Sequence, residues 1–146
     1  MSDPIAALSD PEQWAWAARE LAARGDPAAL PALVEAFNMR DERSRLALLD
    51  AMEAVGGIAA VPGLAASPDE ADRRLAARLA HLLPDPAHVP VLERLVSDAD
   101  RGTALEARAA LHTQVRDAQW RAAVERLAQS EDPELREEAL AWQREG

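Results

Sequence analysis

Internal repetition constrains this chain more than any other feature, because a recurring unit dictates the architecture before any single residue is weighed. Two signals recur with a period near thirty residues. The first is apolar-Pro-x-Leu, found at Leu30-Pro31-Ala32-Leu33, Val61-Pro62-Gly63-Leu64 and Val89-Pro90-Val91-Leu92, with prolines 31 and 28 apart. A degenerate fourth copy, Trp120-Arg121-Ala122-Ala123, lies 31 further on. The second is an Asp with Arg four residues later, at Asp41 and Arg45, Asp69 and Arg73, and Asp132 and Arg136. Asp10 and Asp100 fit the series with Trp14 and Ala104 in the Arg place, and the Asp spacings are 31, 28, 31 and 32. Both signals shorten at the same repeat, which reads as about one helical turn lost from one helix.

Each unit reads as a helix A, a short turn and a helix B. Asp-Pro pairs at 10–11, 26–27, 85–86 and 132–133 mark helix starts, since Asp caps orphan N–H groups and Pro suits the first helical position. Gly25 and the Gly56-Gly57 pair mark stops. Pro31, Pro62 and Pro90 are expected about one turn into their helices, each costing a backbone bond and bending the helix. The resulting map is an orphan B helix at 10–24 and pairs at 27–39 with 41–55, 58–66 with 69–83, 86–97 with 100–116, and 118–129 with 132–144. That is an all-α fold of about four and a half hairpins and nine helices. It forms one domain over 1–146, with units near 26–56, 57–84, 85–116 and 117–145. Expected core stripes are Leu75, Leu79, Leu82 and Leu83, and, one repeat earlier, Leu46, Leu49, Met52 and Val55. Ala47, Ala76, Ala107 and Ala139 are expected at close helix crossings.

Composition narrows the function. Ala and Leu favour helix. The absence of Cys excludes disulfides, thiolate metal sites and a Cys nucleophile. The net charge is −10 and all sixteen basic residues are Arg, so phosphate backbones are repelled and no nucleic-acid partner is expected. Ala, Arg and Pro richness without Lys suggests a GC-rich bacterial genome. No apolar stretch is long enough to span a membrane and no secretory signal is visible, so the expected location is the cytoplasm.

The apolar-Pro-x-Leu of helix A and the Asp-x-x-x-Arg of helix B resemble the HEAT-repeat family, in the bacterial form seen in phycobilin-lyase-like HEAT repeats. The resemblance covers the chain from Asp10 onward. It implies a right-handed α-solenoid whose B helices line a concave surface that commonly binds proteins. It also implies an inter-repeat ladder made by Asp41, Asp69, Asp132, Arg45, Arg73 and Arg136.

In a regular stack, the residues twelve after each B-helix Asp form a row: Ala22, Glu53, His81, His112 and Arg144. The residues three earlier are Arg19, Asp50, Arg78, Ala109 and Ala141. Arg19, Asp50, Glu53, Arg78, His81, His112 and Arg144 are therefore the candidate partner-binding residues, a mixed-charge floor suited to a charged protein surface. Glu53, His81 and His112 also offer a metal triad in ligand chemistry, set against the plainer reading of a polar helix face. The His-Glu dipeptides of HEAT-like di-iron hydroxylases are absent, as is the basic cleft of HEAT-like DNA glycosylases. No phosphate loop, nucleophile elbow or acid–base pair is evident, so no catalytic residue and no cofactor is expected. The expectation is a non-catalytic scaffold module for a protein partner; the alternative is an accessory or chaperone-like subunit of an enzyme or cofactor-lyase system. Trp120 is expected at a core position of its A helix, and of Trp14 and Trp16, two apart on one helix, one is expected in the core and the other more exposed or over the end; with Trp142 closing the last repeat, the Trp-bearing ends read as caps or as sites of weak self-association of a monomer.

Overall fold

Aspartate starts most of the helices, and the cause is local. The computed structural model describes residues 3–146, Met1 and Ser2 lying outside the described residues. It contains ten α-helices and no strand among those residues: α1 (Pro4–Ala7), α2 (Trp14–Arg24), α3 (Leu30–Met39), α4 (Glu42–Ala54), α5 (Gly57–Ala65), α6 (Glu70–Leu82), α7 (Val89–Leu95), α8 (Arg101–His112), α9 (Ala118–Leu127) and α10 (Pro133–Glu145). Asp3, Asp41, Asp69, Asp100, Asp117 and Asp132 accept first-turn N–H groups of six of them. Each satisfies a donor that the helix itself leaves orphaned. Gly25 and Gly56 follow α2 and α4 in the left-handed region, at φ +65° and +86°, where a side chain would be strained.

The tenth helix is α1, absent from the sequence map although its Asp3-Pro4 pair has the same form as the other helix starts. Asp10 accepts the Glu12 N–H at 2.8 Å, yet α2 does not begin until Trp14. The internal prolines need a correction. Pro31 and Pro90 lie at the second position of α3 and α7. Each follows a 3-10 turn, Pro27–Ala29 or Pro86–His88, capped by Asp26 or Asp85. Near a helix start the missing N–H costs little. Pro62 does lie inside α5.

The chain divides into two compact units, Met1–Ala60 and Val61–Gly146. In the first, α2 packs on α1 and α4, and α3 on α4. Its core includes Leu21, Leu30, Leu33, Phe37, Leu48 and Met52. In the second, α6 lies along α8, α7 packs on α8 and α9, and α9 on α10. Leu79, Leu92, Leu111, Trp120 and Leu135 are buried there. The Trp120 indole donates to the Leu111 carbonyl at 2.8 Å, which satisfies its polar end inside the core.

One register runs through all five B helices. The residue seven after each series Asp is Ala17, Leu48, Ala76, Ala107 and Ala139, and every one is 0% exposed. Of the stripe expected there on and just after α4, Met52 and Val55 are buried and Leu49 is half-buried, but Leu46 is 70% exposed and Ala47 is exposed. Leu48 and Ala51 complete the buried face with Met52 and Val55.

Candidate functional site

The B helices of the second unit, α6, α8 and α10, are joined by ion pairs. Arg78 and His81 on α6 both reach Glu106 on α8, each at 3.1 Å. One turn earlier, Arg73 binds Asp98 through Nε and Nη2 at 2.8 and 3.2 Å. Arg74 binds both oxygens of Asp100. Asp98 is held below its ordinary pKa first by the Arg73 hydrogen bond. The Asp100 carboxyl is lowered to about 2 by the Thr103 hydroxyl, the Arg74 guanidinium and the Thr103 N–H, in that order.

Between α8 and α10 the exposed Arg101 meets Glu134 at 3.2 Å, and the buried bridging cation is Arg108, whose side chain is only 6% exposed. Its Nη1 lies 2.7 Å from Glu134 and 3.3 Å from Glu138, and its Nη2 lies 3.6 Å from Asp132. Its Nε donates to the Val96 carbonyl at 3.4 Å. At the far end His112 meets Glu145 at 2.7 Å through Nε2 and stacks on Trp142 with ring centroids 5.3 Å apart. Arg116 meets the same carboxylate at 3.3 Å and lies 4.4 Å over the Trp120 ring. The Glu145 carboxyl is lowered first by its bond to His112.

The ladder residues occupy several roles. Asp41, Asp69 and Asp132 are capping groups. Arg73 and Arg136 each donate Nη1 back to the loop before their own helix, Arg73 to Ser67 and Pro68 and Arg136 to Ser130. Among the described residues Arg73 alone of the three arginines also binds an acid, the loop residue Asp98 rather than a capping Asp. Arg45 lies 4.9 Å over the Phe37 ring, and its buried Nε has no hydrogen-bond partner among the described residues.

Of the partner-binding candidates, Arg19, Asp50, Glu53 and Arg144 are exposed on α2, α4 and α10, while Arg78, His81 and His112 are half-buried. The metal triad is not assembled. His81 and His112 bind different carboxylates, and no group of three or more His, Asp or Glu side chains among the described residues is placed to hold a metal ion.

No protein-family model matches the chain, and no curated protein matches it. Among the described residues no single helix is long and apolar enough to cross a membrane.

Of the residues in these pairs, Arg74, Asp98, Arg101, Glu106, Arg108, Arg116, Glu134, Glu138 and Glu145 lie outside the row and the ladder expected from the sequence. A signal was present for three of them. Glu106 and Glu138 both lie six after their helix-opening Asp. Arg108 lies four beyond Ala104, the vacant Arg place, and so on the same helical face.

Proposed function

We propose that the chain is a non-catalytic binding module: HEAT-like hairpins, arranged as a right-handed α-solenoid, that engage a protein partner on the exposed row of their B helices. The shared register carries this reading. Five helices bury the place seven after their Asp completely. The places nine and twelve after it are exposed or half-exposed on each of them and carry Arg19, Asp50, Glu53, Arg78, His81, His112 and Arg144. Repetition of one polar row over one buried row is how stacked hairpins build an extended recognition surface.

Part of the row is also preorganised: Glu106 holds Arg78 and His81 in place, and Glu145 holds His112, so these three side chains have less entropy to lose on binding. With a net charge of −10, an exposed basic segment is the partner feature that fits. A cytoplasmic bacterial setting agrees with the composition.

The test is affinity capture from the host's lysate with the wild type, an Asp50→Arg/Glu53→Arg variant and an Arg78→Glu variant, each checked for fold by circular dichroism. A partner held by the wild type and lost from either folded variant supports the row. Identical partners for all three refute it.

A further inference from the structure

Two histidines hold the same place in successive repeats and make the same kind of contact. His81 on α6 and His112 on α8 each lie twelve after the Asp of their helix. Each bonds a carboxylate of the following B helix, Glu106 at 3.1 Å and Glu145 at 2.7 Å. In both places an arginine shares the oxygen that the imidazole uses. Arg78 meets Glu106 Oε1 at 3.1 Å, and Arg116 meets Glu145 Oε2 at 3.3 Å. The remaining bridges from α6 and α8 toward the next B helix are made by Arg73, Arg74, Arg101 and Arg108, whose charge is fixed. Among the described residues, His81 and His112 are therefore the only bridging groups of a type that changes charge near neutrality.

The surrounding charges are already committed. Near His81, Asp85 caps the turn that starts at Pro86. On α7, which packs on both α6 and α8, Glu93 is held by Arg126 and Arg94 is exposed. Near His112, Arg108 is bound to Glu134 and Glu138, and Arg144 on α10 is exposed. The Glu145 carboxyl is held below its ordinary range first by the His112 bond, with Arg116 a smaller cause.

We infer that the two histidine–carboxylate–arginine clusters are a proton-operated clasp that fastens α6 to α8 and α8 to α10 more tightly as pH falls from about 8 to about 6. A neutral ring gives its carboxylate one ordinary hydrogen bond. A protonated ring gives a charge-assisted one, roughly twice as strong. The arginine does not cancel the gain, because two donors bonded to one oxygen lie on different sides of it, each closer to the anion than to the other cation. The unfolded chain makes neither bond. The stability that the clasp adds is thus present below the imidazole range and lost as pH rises through it. It needs no partner, so it stands or falls apart from the row reading.

The experiment is urea unfolding of the full chain at about pH 6 and about pH 8, followed by far-UV circular dichroism, with the ratio of the two unfolding constants as the readout. The wild type is compared with His81→Gln, His112→Gln and the double variant; Gln keeps a neutral donor. His88, the third histidine, is 2% exposed and common to all of them, so its contribution cancels. The wild-type constant should rise from pH 6 to pH 8 relative to the double variant. The share of His81 is about threefold, and that of His112 is smaller, since Glu145 is 50% exposed against 26% for Glu106. Glu106→Gln, which leaves both histidines in place, should remove the His81 share and keep the His112 share. About 0.5 M NaCl should shrink both, as a packing role would not. The same ratio in wild type and double variant, a ratio of the opposite sign, or a His81 share undiminished in Glu106→Gln overturns the inference.

Discussion

Removing the charge from Arg108 is expected to cost less than removing the charges that face it. The Arg108 side chain is 6% exposed, whereas Glu134, Glu138 and Asp132 are 54%, 41% and 49% exposed. Arg108→Met keeps most of the aliphatic packing and discards a guanidinium whose burial is itself costly, by several kcal/mol for an ion taken out of water. The carboxylates left behind are half in solvent and rehydrate. A net loss of about 1 kcal/mol follows, the usual size of an intramolecular hydrogen bond. In Glu134→Gln/Glu138→Gln the guanidinium stays buried, with the Val96 carbonyl and the Asp132 carboxylate at 3.6 Å as its remaining support. Breaking a buried pair from this side costs roughly 3 kcal/mol, reduced to about 2 kcal/mol by Asp132 and by the acceptor oxygens of the Gln amides. Urea unfolding followed by far-UV circular dichroism resolves the difference, and melting separates the variants by about 3 °C. Equal costs, or a larger cost for Arg108→Met, would refute the reasoning and make Arg108 an ordinary surface cation.

Leu48→Ala should destabilise by about 2–4 kcal/mol in denaturant unfolding, because Leu48 is 0% exposed; Leu46→Ala, two residues away and 70% exposed, should leave stability within about 0.5 kcal/mol. Carboxyl titration by NMR should find Asp100 near its lowered value of about 2, with Thr103→Val and Arg74→Ala each raising it. Since its folded pKa lies below the unfolded one, the stability it adds is present above the ordinary carboxylate range and is lost as pH falls toward 2. Gly102→Ala should also raise the Asp100 pKa, because the added Cβ would lie 2.9 Å from the Arg74 guanidinium and force it off its carboxylate; an unchanged titration would show that Arg74 relaxes without letting go.

The helix map was legible in sequence because its signals act within a few residues. Asp132 meets the N–H groups of Glu134 and Leu135 whatever the rest of the chain does, and Gly56 ends α4 through its own dihedrals. The register of α4 was not legible: Leu46, Leu48 and Leu49 put apolar side chains on adjoining faces, and only the packing of α2 and α3 against α4 selects Leu48. Misplacing the prolines had a similar cause, since the 3-10 turns before Pro31 and Pro90 were invisible to a 3.6-residue period. For the site, the row places were readable from spacing, but an ion pair between helices depends on axial offset. His81 and His112 both sit twelve after their Asp, yet they meet acids six and thirteen after the next one. Spacing along one chain segment does not contain that offset.

The bridges between α6, α8 and α10 run in one sense, whereas the bridge from Arg126 on α9 back to Glu93 on α7, at 2.7 Å, runs in the other. Among the B helices the cations lie on α6 and on α8 and its C-terminal turn, and the acids lie on or just before the B helix that follows, as in Arg78 to Glu106 and Arg108 to Glu138. α8 is therefore two-sided, with the Glu106 carboxylate toward α6 and the Arg108 and His112 cations toward α10. A single helix with these two faces exchanged would meet guanidinium with guanidinium on one side and carboxylate with carboxylate on the other, so the charges select which side of α8 each neighbour takes without any change in the apolar core.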